Sequence, residues 1–146
     1  MDMAFEEAEK AASNGEIPVG CVIVDPDGNI LAKSHNMTEE LSNPMAHAEI
    51  LALDNAIKTF GNKYLTNCSM YVTLEPCAMC AQALSYARIQ KVYFGAEDEK
   101  FGAIEHGCKL FSNNKSLFKP EIYGGLQKEK SIAMLKSFFE QLRARG

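Results

Sequence analysis

Apolar residues along this chain recur in two rhythms, one helical and one strand-like, and their alternation marks out the elements. Met3, Ala4, Ala8, Ala11 and Ala12 recur at helical spacing over residues 2–14, and Asn14-Gly15 closes that helix. Val19-Gly20-Cys21-Val22-Ile23-Val24 is a continuous, largely β-branched run, which predicts a buried strand. Asp25-Pro26-Asp27-Gly28 signals a turn, and residues 29–34 return as a second strand, forming a hairpin. Ile50, Leu51, Leu53, Ala56, Ile57 and Phe60 form a stripe that predicts a helix over residues 46–60, closed by Gly61. Residues 70–74 predict a third strand. A helix follows over 76–87, with Pro76 in its first turn, where a missing N–H costs nothing. Residues 91–95 predict a fourth strand, 120–123 a short fifth, and 128–145 a long final helix.

The predicted order is α-β-β-α-β-α-β-β-α. Strands that alternate with helices after an opening hairpin imply an α/β fold. The expected architecture is a three-layer α/β/α sandwich, with a mixed central sheet of about five strands. A chain of 146 residues predicts one domain, spanning 1–146.

Composition bounds the function more than the fold. The apolar fraction of 47% is ordinary for a soluble globular protein. No apolar run approaches the roughly 20 residues that span a bilayer, so no membrane partner is expected. The acidic, amphipathic start Met1-Asp2-Met3-Ala4-Phe5-Glu6-Glu7 lacks the basic and apolar segments of a secretory signal, which predicts a cytoplasmic location. The cysteines are Cys21, Cys68, Cys77, Cys80 and Cys108, an odd number that argues against a disulfide framework. Cys21 and Cys68, in apolar runs, read as small buried hydrophobes. The net charge of −4 is unevenly divided: residues 1–108 hold 7 basic and 16 acidic side chains, residues 109–146 hold 8 and 3. The basic C-terminal quarter is either a solvated helix face or a local phosphate-binding surface.

The chemistry lies at the predicted starts of two helices. His47-Ala48-Glu49 opens one, and Pro76-Cys77-Ala78-Met79-Cys80 opens the next. His47, Cys77 and Cys80 supply three zinc ligands, and three protein ligands leave the fourth position open, as in catalytic sites. Helix N-termini carry partial positive charge and free N–H groups, which favour the thiolates that bind zinc. Cys77 and Cys80, at i and i+3, share one helix face. Zinc held in this way activates water at neutral pH. Glu49, which is not a ligand, can shuttle protons from that water to a ring nitrogen and to departing ammonia. The pattern fits a hydrolytic deamination and matches the His-x-Glu with Pro-Cys-x-x-Cys signature of zinc deaminases. Two other readings are weaker. A Cys-x-x-Cys between strand and helix also fits a redox pair, but the distant His47-x-Glu49 does not. A purely structural zinc site would need a fourth ligand, such as Cys108 or His106.

Several segments together resemble the bacterial tRNA adenosine deaminases of the cytidine deaminase-like superfamily, over essentially the whole chain. They are Glu16-Ile17-Pro18-Val19-Gly20, Asn36, Ala46-His47-Ala48-Glu49, Tyr71-Val72-Thr73-Leu74-Glu75-Pro76-Cys77-Ala78-Met79-Cys80, Phe94-Gly95-Ala96-Glu97-Asp98 and Ser137-Phe138-Phe139. His-x-Glu with Pro-Cys-x-x-Cys is shared by many deaminases; the likeness to the tRNA enzymes rests on Val72 to Glu75 and on Phe94 to Asp98. The resemblance implies one zinc ion per subunit, held by His47, Cys77 and Cys80, with Glu49 as proton shuttle. It implies that Asn36 hydrogen-bonds a flipped nucleotide near its ribose and base. Ile17, Pro18, Val19, Ala48 and Leu74 would belong to the substrate pocket, and Asp98 to a loop beside the substrate backbone. It further implies a homodimer that converts the wobble adenosine of a tRNA anticodon loop to inosine, splayed loop bases being the usual targets of RNA recognition. Lys109, Lys119, Arg143 and Arg145 would then meet phosphates. A deaminase of a free base or nucleotide, such as guanine or cytosine, is the alternative within the same chemistry. A zinc-stabilised RNA-binding subunit is the non-enzymatic one, although such a subunit has no need of Glu49. Two departures from the family pattern are Glu97, where a basic residue is frequent, and the loop Ala103-Ile104-Glu105-His106-Gly107, where small residues are commoner.

Overall fold

The computed structural model describes residues 1–113 and 117–145. In chain order the elements are α1 (Asp2–Ser13), β1 (Gly20–Val24), β2 (Ile30–His35), α2 (Ala48–Phe60), β3 (Ser69–Leu74), α3 (Ala78–Tyr86), β4 (Lys91–Ala96), α4 (Leu110–Asn113), β5 (Glu121–Tyr123) and α5 (Lys128–Ala144). The strands form one mixed sheet in the order β2-β1-β3-β4-β5. β1 runs antiparallel to β2 and β3, whereas β3, β4 and β5 are parallel. The predicted α/β architecture with five strands is present.

The hairpin forms because Asp25 organises its own turn: its Oδ1 accepts from the N–H groups of Asp27 (2.9 Å) and Asn29 (2.8 Å). Alternation along β1 then sorts the two faces of the sheet. Cys21 and Ile23 enter the core with Ala52, Leu53, Met70, Val72, Leu84 and Phe94, beneath α2 and α3. Gly20 faces the other way. A side chain there would run into the Ala4 carbonyl and the Ala8 amide, so glycine lets α1 lie directly on the strand. That second layer buries Ala4, Phe5, Ala8 and Ala11 of α1. It is completed by α5, whose Ser131 hydroxyl donates to the Thr73 carbonyl. Each fully buried Leu, Ile, Phe or Met contributes about 1.5–3 kcal/mol relative to exposure, and Phe5, Ile23, Met70, Leu84 and Phe94 are all of this kind.

Two predicted boundaries need correction. The helices expected from Ala46 and Pro76 begin two residues later, at Ala48 and Ala78. His47 (ψ 151°) and Cys77 (ψ 176°) are extended N-cap residues, and Pro76 lies outside the helix rather than in its first turn. Each cap carbonyl accepts the first helical bond, from Leu51 and Ala81 respectively. The four-residue helix α4 was not predicted; its Leu110 and Phe111 pack against the core.

The topology gathers the chemistry at one edge. β2, β3 and β4 run in the same direction, so the residues after their carboxyl ends (Asn36, Glu75 and Glu97) leave the sheet on the same side. Gly20 pairs with His35, so the Ile17-Pro18-Val19 segment enters β1 there as well. The N-termini of α2 and α3 return to this edge, where open α/β sheets place their ligands.

Candidate active site

His47 caps α2, Cys77 caps α3, and Cys80 stands in the first turn of α3. Their donor atoms all lie within 4.8 Å of one another. His47 Nδ1 is 3.7 Å from Cys77 Sγ and 3.6 Å from Cys80 Sγ. A tetrahedral zinc with normal Zn–S and Zn–N lengths has N···S edges of about 3.6 Å. The donor set therefore fits zinc in both chemistry and spacing. Among the described residues, this trio is the only group of three such side chains, and neither His106 nor Cys108 joins it. A closed structural site is thereby set aside. Cys21, Cys68 and Cys108 are free, the first two buried as expected and Cys108 exposed.

The electrostatics of the trio suit a metal. The Cys77 thiol is pulled down to about 4, first by the hydrogen bond from Cys80 and then by His47, against the opposing effect of burial. Cys80 is pushed far up, because it donates that bond and is deeply buried. The metal-free pair thus shares one proton, which a cation would displace. His47 is raised by its hydrogen bond to Cys77, and the Pro44 carbonyl also engages its ring.

Glu49 stands in the first turn of α2, two residues after His47, and is 4% exposed. Burial pushes its carboxyl up to about 7, and the Cys77 thiolate adds to the shift. It faces a cavity of about 900 Å³ together with His47, Cys77, Ile17, Val19, Asn36, Leu74 and Asp98. Pro18 is buried outside this lining. Ala48 is also behind the wall, where its N–H donates to Asn36 Oδ1 at 2.9 Å. Asn36 Nδ2 in turn donates to the Ile17 carbonyl at 3.2 Å, so this amide ties the entry of β1 to the start of α2.

Sequence reasoning missed several residues here. Thr38, Phe101, Leu135 and Phe139 also line the cavity, the last two from α5. Glu16, 1% exposed, accepts from Thr38 Oγ1 (3.2 Å) and from the N–H groups of Glu39 (3.1 Å) and Glu40 (2.8 Å), pinning the segment after Asn36. Glu75 holds the 97–106 loop in a similar way. Burial raises its carboxyl, but the bonds from His106 and from backbone amides outweigh this and leave it lowered, while His106 is raised in return. No local signal marks this role in the sequence, because the partners of Glu75 lie 23–31 residues away.

Three protein ligands leave zinc one position for water, and Glu49 is placed to move that water's protons; with the mixed α/β sheet behind them, they define a zinc-dependent deaminase. The chain belongs to that class: the family model for the cytidine and deoxycytidylate deaminase zinc-binding region matches residues 1–96. It is 43% identical over 144 residues to a tRNA-specific adenosine deaminase of Rickettsia bellii, covering 98% of this chain and 99% of that protein. It is 41% identical over 143 residues to the tRNA-specific adenosine deaminase of Bacillus subtilis, covering 98% and 88%. A solved structure from studies of A-to-I editing by tRNA:A34 deaminases superposes with a TM-score of 0.89 at 43% identity, covering 92% of this chain and 97% of that one.

Proposed function

We propose that this protein is a zinc-dependent hydrolase that converts adenosine to inosine at the wobble position of a tRNA anticodon loop. The observation that carries the reading is the buried Glu49 beside the His47, Cys77 and Cys80 trio on the floor of the cavity. The substrate class is supported by tRNA-specific relatives that are similar over nearly the whole chain.

His47, Cys77 and Cys80 would hold the zinc, which supplies Lewis-acid activation of water. Glu49 then moves the protons. It takes one from the water whose oxygen bonds to the ring carbon, and gives it to the adjacent ring nitrogen. The second goes to the amino group, the C–N bond breaks, ammonia leaves, and a carbonyl remains. Burial raises this carboxyl above the usual carboxylate range and bound zinc draws it back down, a balance that suits a group which must both accept and release a proton. Asn36, already oriented by Ala48 and Ile17, presents its remaining amide capacity to the nucleotide. Ile17, Val19 and Leu74 flank the base, Pro18 and Ala48 support them from behind, and Asp98 faces the substrate backbone. Exposed Lys109, Lys119, Arg143 and Arg145 meet phosphates.

Two further parts of the reading concern assembly and place. The protein works as a homodimer, supported by an apolar cleft of about 340 Å³ between α2 and α3, lined by Ile50, Leu53, Ile57, Ala83 and a 71% exposed Tyr86. It works in the cytoplasm; among the described residues no helix is long and apolar enough to cross a membrane.

The test is deamination of an anticodon stem-loop with adenosine at the wobble position, inosine being read by mass spectrometry. Free adenosine, guanine and cytosine run in parallel. Inosine in the stem-loop is the expected result, and ammonia from a free base alone would overturn the RNA assignment.

A further inference from the structure

We infer that His106 is a positioning residue for this reaction: through the buried carboxylate of Glu75 it fixes the 97–106 loop, and with it Asp98 and Phe101, at the cavity wall. The Glu75 side chain is fully buried, yet among the described residues every bond that satisfies it comes from this loop. Its Oε1 accepts from the Asp98 N–H at 3.0 Å and from His106 Nδ1 at 2.9 Å. Its Oε2 accepts from the N–H groups of Ile104 (3.0 Å), Glu105 (2.8 Å) and His106 (3.2 Å). Both ends of the loop are thus drawn to one carboxylate.

The loop docks closely on the segment that carries Cys77. Gly102 forms a bridge with Cys77, and the Ala103 N–H donates to the Pro76 carbonyl at 3.0 Å. A side chain at Gly102 would strike the Glu75 carboxylate and the Asp98 carbonyl. On the outer side Asp98 Oδ1 accepts from the N–H groups of Lys100 and Phe101, and these turn the 65% exposed Phe101 toward the cavity. His106 is the only side chain that donates to Glu75 among the described residues, and its Nε2 lies 3.7 Å from Glu97 Oε2. Its ring therefore joins two acidic groups that would otherwise repel. Without it Oε1 keeps one donor, the Asp98 N–H, and the 104–106 end of the loop loses its side-chain tie to the carboxylate that also holds Asp98. Four backbone N–H groups still reach the carboxylate, but the Oε1 position that the ring filled is left buried without its charge-assisted donor, and the loop shifts to bring in water there.

The inference rests on the proposed deamination only for its kinetic readout, so two measurements on the zinc-loaded protein are used. The first is amide hydrogen exchange at Asp98, Ile104 and Glu105 without substrate. His106→Ala should speed exchange about tenfold or more, as loss of a charge-assisted hydrogen bond predicts, whereas His106→Asn, whose Nδ2 can stand where Nδ1 donates, should stay within about threefold of wild type. The second is kinetics on the stem-loop. His106→Ala should raise KM about tenfold with kcat within about threefold and zinc content unchanged, and His106→Asn should restore KM. Unchanged protection in His106→Ala, an Asn variant no better than Ala, or a fall in kcat at constant KM would each overturn the role. If His106→Ala does not fold, His106→Gln, whose donor sits one carbon further out, replaces it with the same expectations. If the wild type forms no inosine, the RNA reading fails, and exchange alone still decides the clamp.

Discussion

Replacing Glu49 by Gln should leave the protein inactive and more stable. The Glu49 carboxyl is 4% exposed and is pushed from 4.5 up to about 7, mainly by burial. For a carboxyl raised in the folded state, the fold is weakened as the group ionises: the penalty is absent below pH 4.5 and complete above about 7. It is about 3 kcal/mol at pH 7.5 and falls below about 1 kcal/mol at pH 5. Glutamine has nearly the same shape and never ionises. In metal-free protein the variant should therefore melt roughly 6–12 °C above wild type at pH 7.5, with the gap nearly closed at pH 5. Bound zinc attracts the carboxylate and shrinks the gap. Inosine formation should drop about 10²–10⁴-fold, the usual contribution of a positioned acid–base group, while zinc content stays the same. The assay is thermal unfolding by circular dichroism with chelator and reductant across that pH range, beside stem-loop turnover. Equal melting points at pH 7.5, or a gap that widens on acidification, would refute the burial argument; full activity would refute the shuttle.

Other expectations are more direct. Cys77→Ala should lose zinc by elemental analysis, and with it the about 4 kcal/mol that a thousandfold excess of ligand over Kd confers on the wild type in melting experiments; zinc at full occupancy would refute the ligand assignment. Gly102→Ala should lower stability by about 1–3 kcal/mol in denaturant titration, because the added methyl meets the Glu75 carboxylate and the Asp98 carbonyl; an unchanged midpoint would mean the loop yields freely. Binding of the stem-loop should weaken with salt, with a log–log slope of about −3 if Lys109, Lys119, Arg143 and Arg145 each meet one phosphate. Arg143→Ala should make that slope shallower by about one, and a flat salt response would remove the basic face from the interface.

The elements with strong periodicity were legible in the sequence. β1 reads as buried because it is covered by α1 on one side and by α2 on the other, and α2 ends at Gly61 because that residue adopts φ 70°. The misplaced starts of α2 and α3 have a chemical cause. N-caps are normally recognised by Ser, Thr, Asp or Asn, but here the cap positions hold His47 and Cys77, whose side chains turn toward one another and make no capping bond. Helix α4 has only four residues, too few for a period to show. The metal trio and Glu49 could be found because their spacing is itself a signal. Glu16, Glu75 and His106 could not. Glu75 meets its partners 23–31 residues away, and no local pattern distinguishes such an acid from one in solvent. Leu135 and Phe139 were hidden for a related reason: they look like an ordinary helix stripe, and only the fold turns them toward the cavity.

Glu16 and Glu75 stand on separate segments of the cavity wall, and each fastens a surface loop chiefly by accepting main-chain N–H groups. Main-chain amides are the same whatever residue carries them, so at most loop positions the attachment does not depend on the side chain; His106 and Gly102 are the exceptions. The side chains at the other loop positions can then be exchanged without disturbing the two helix starts that define the reacting centre. In such a scaffold, preference for one nucleic-acid context over another is the trait open to change, and the hydrolytic chemistry is inherited intact.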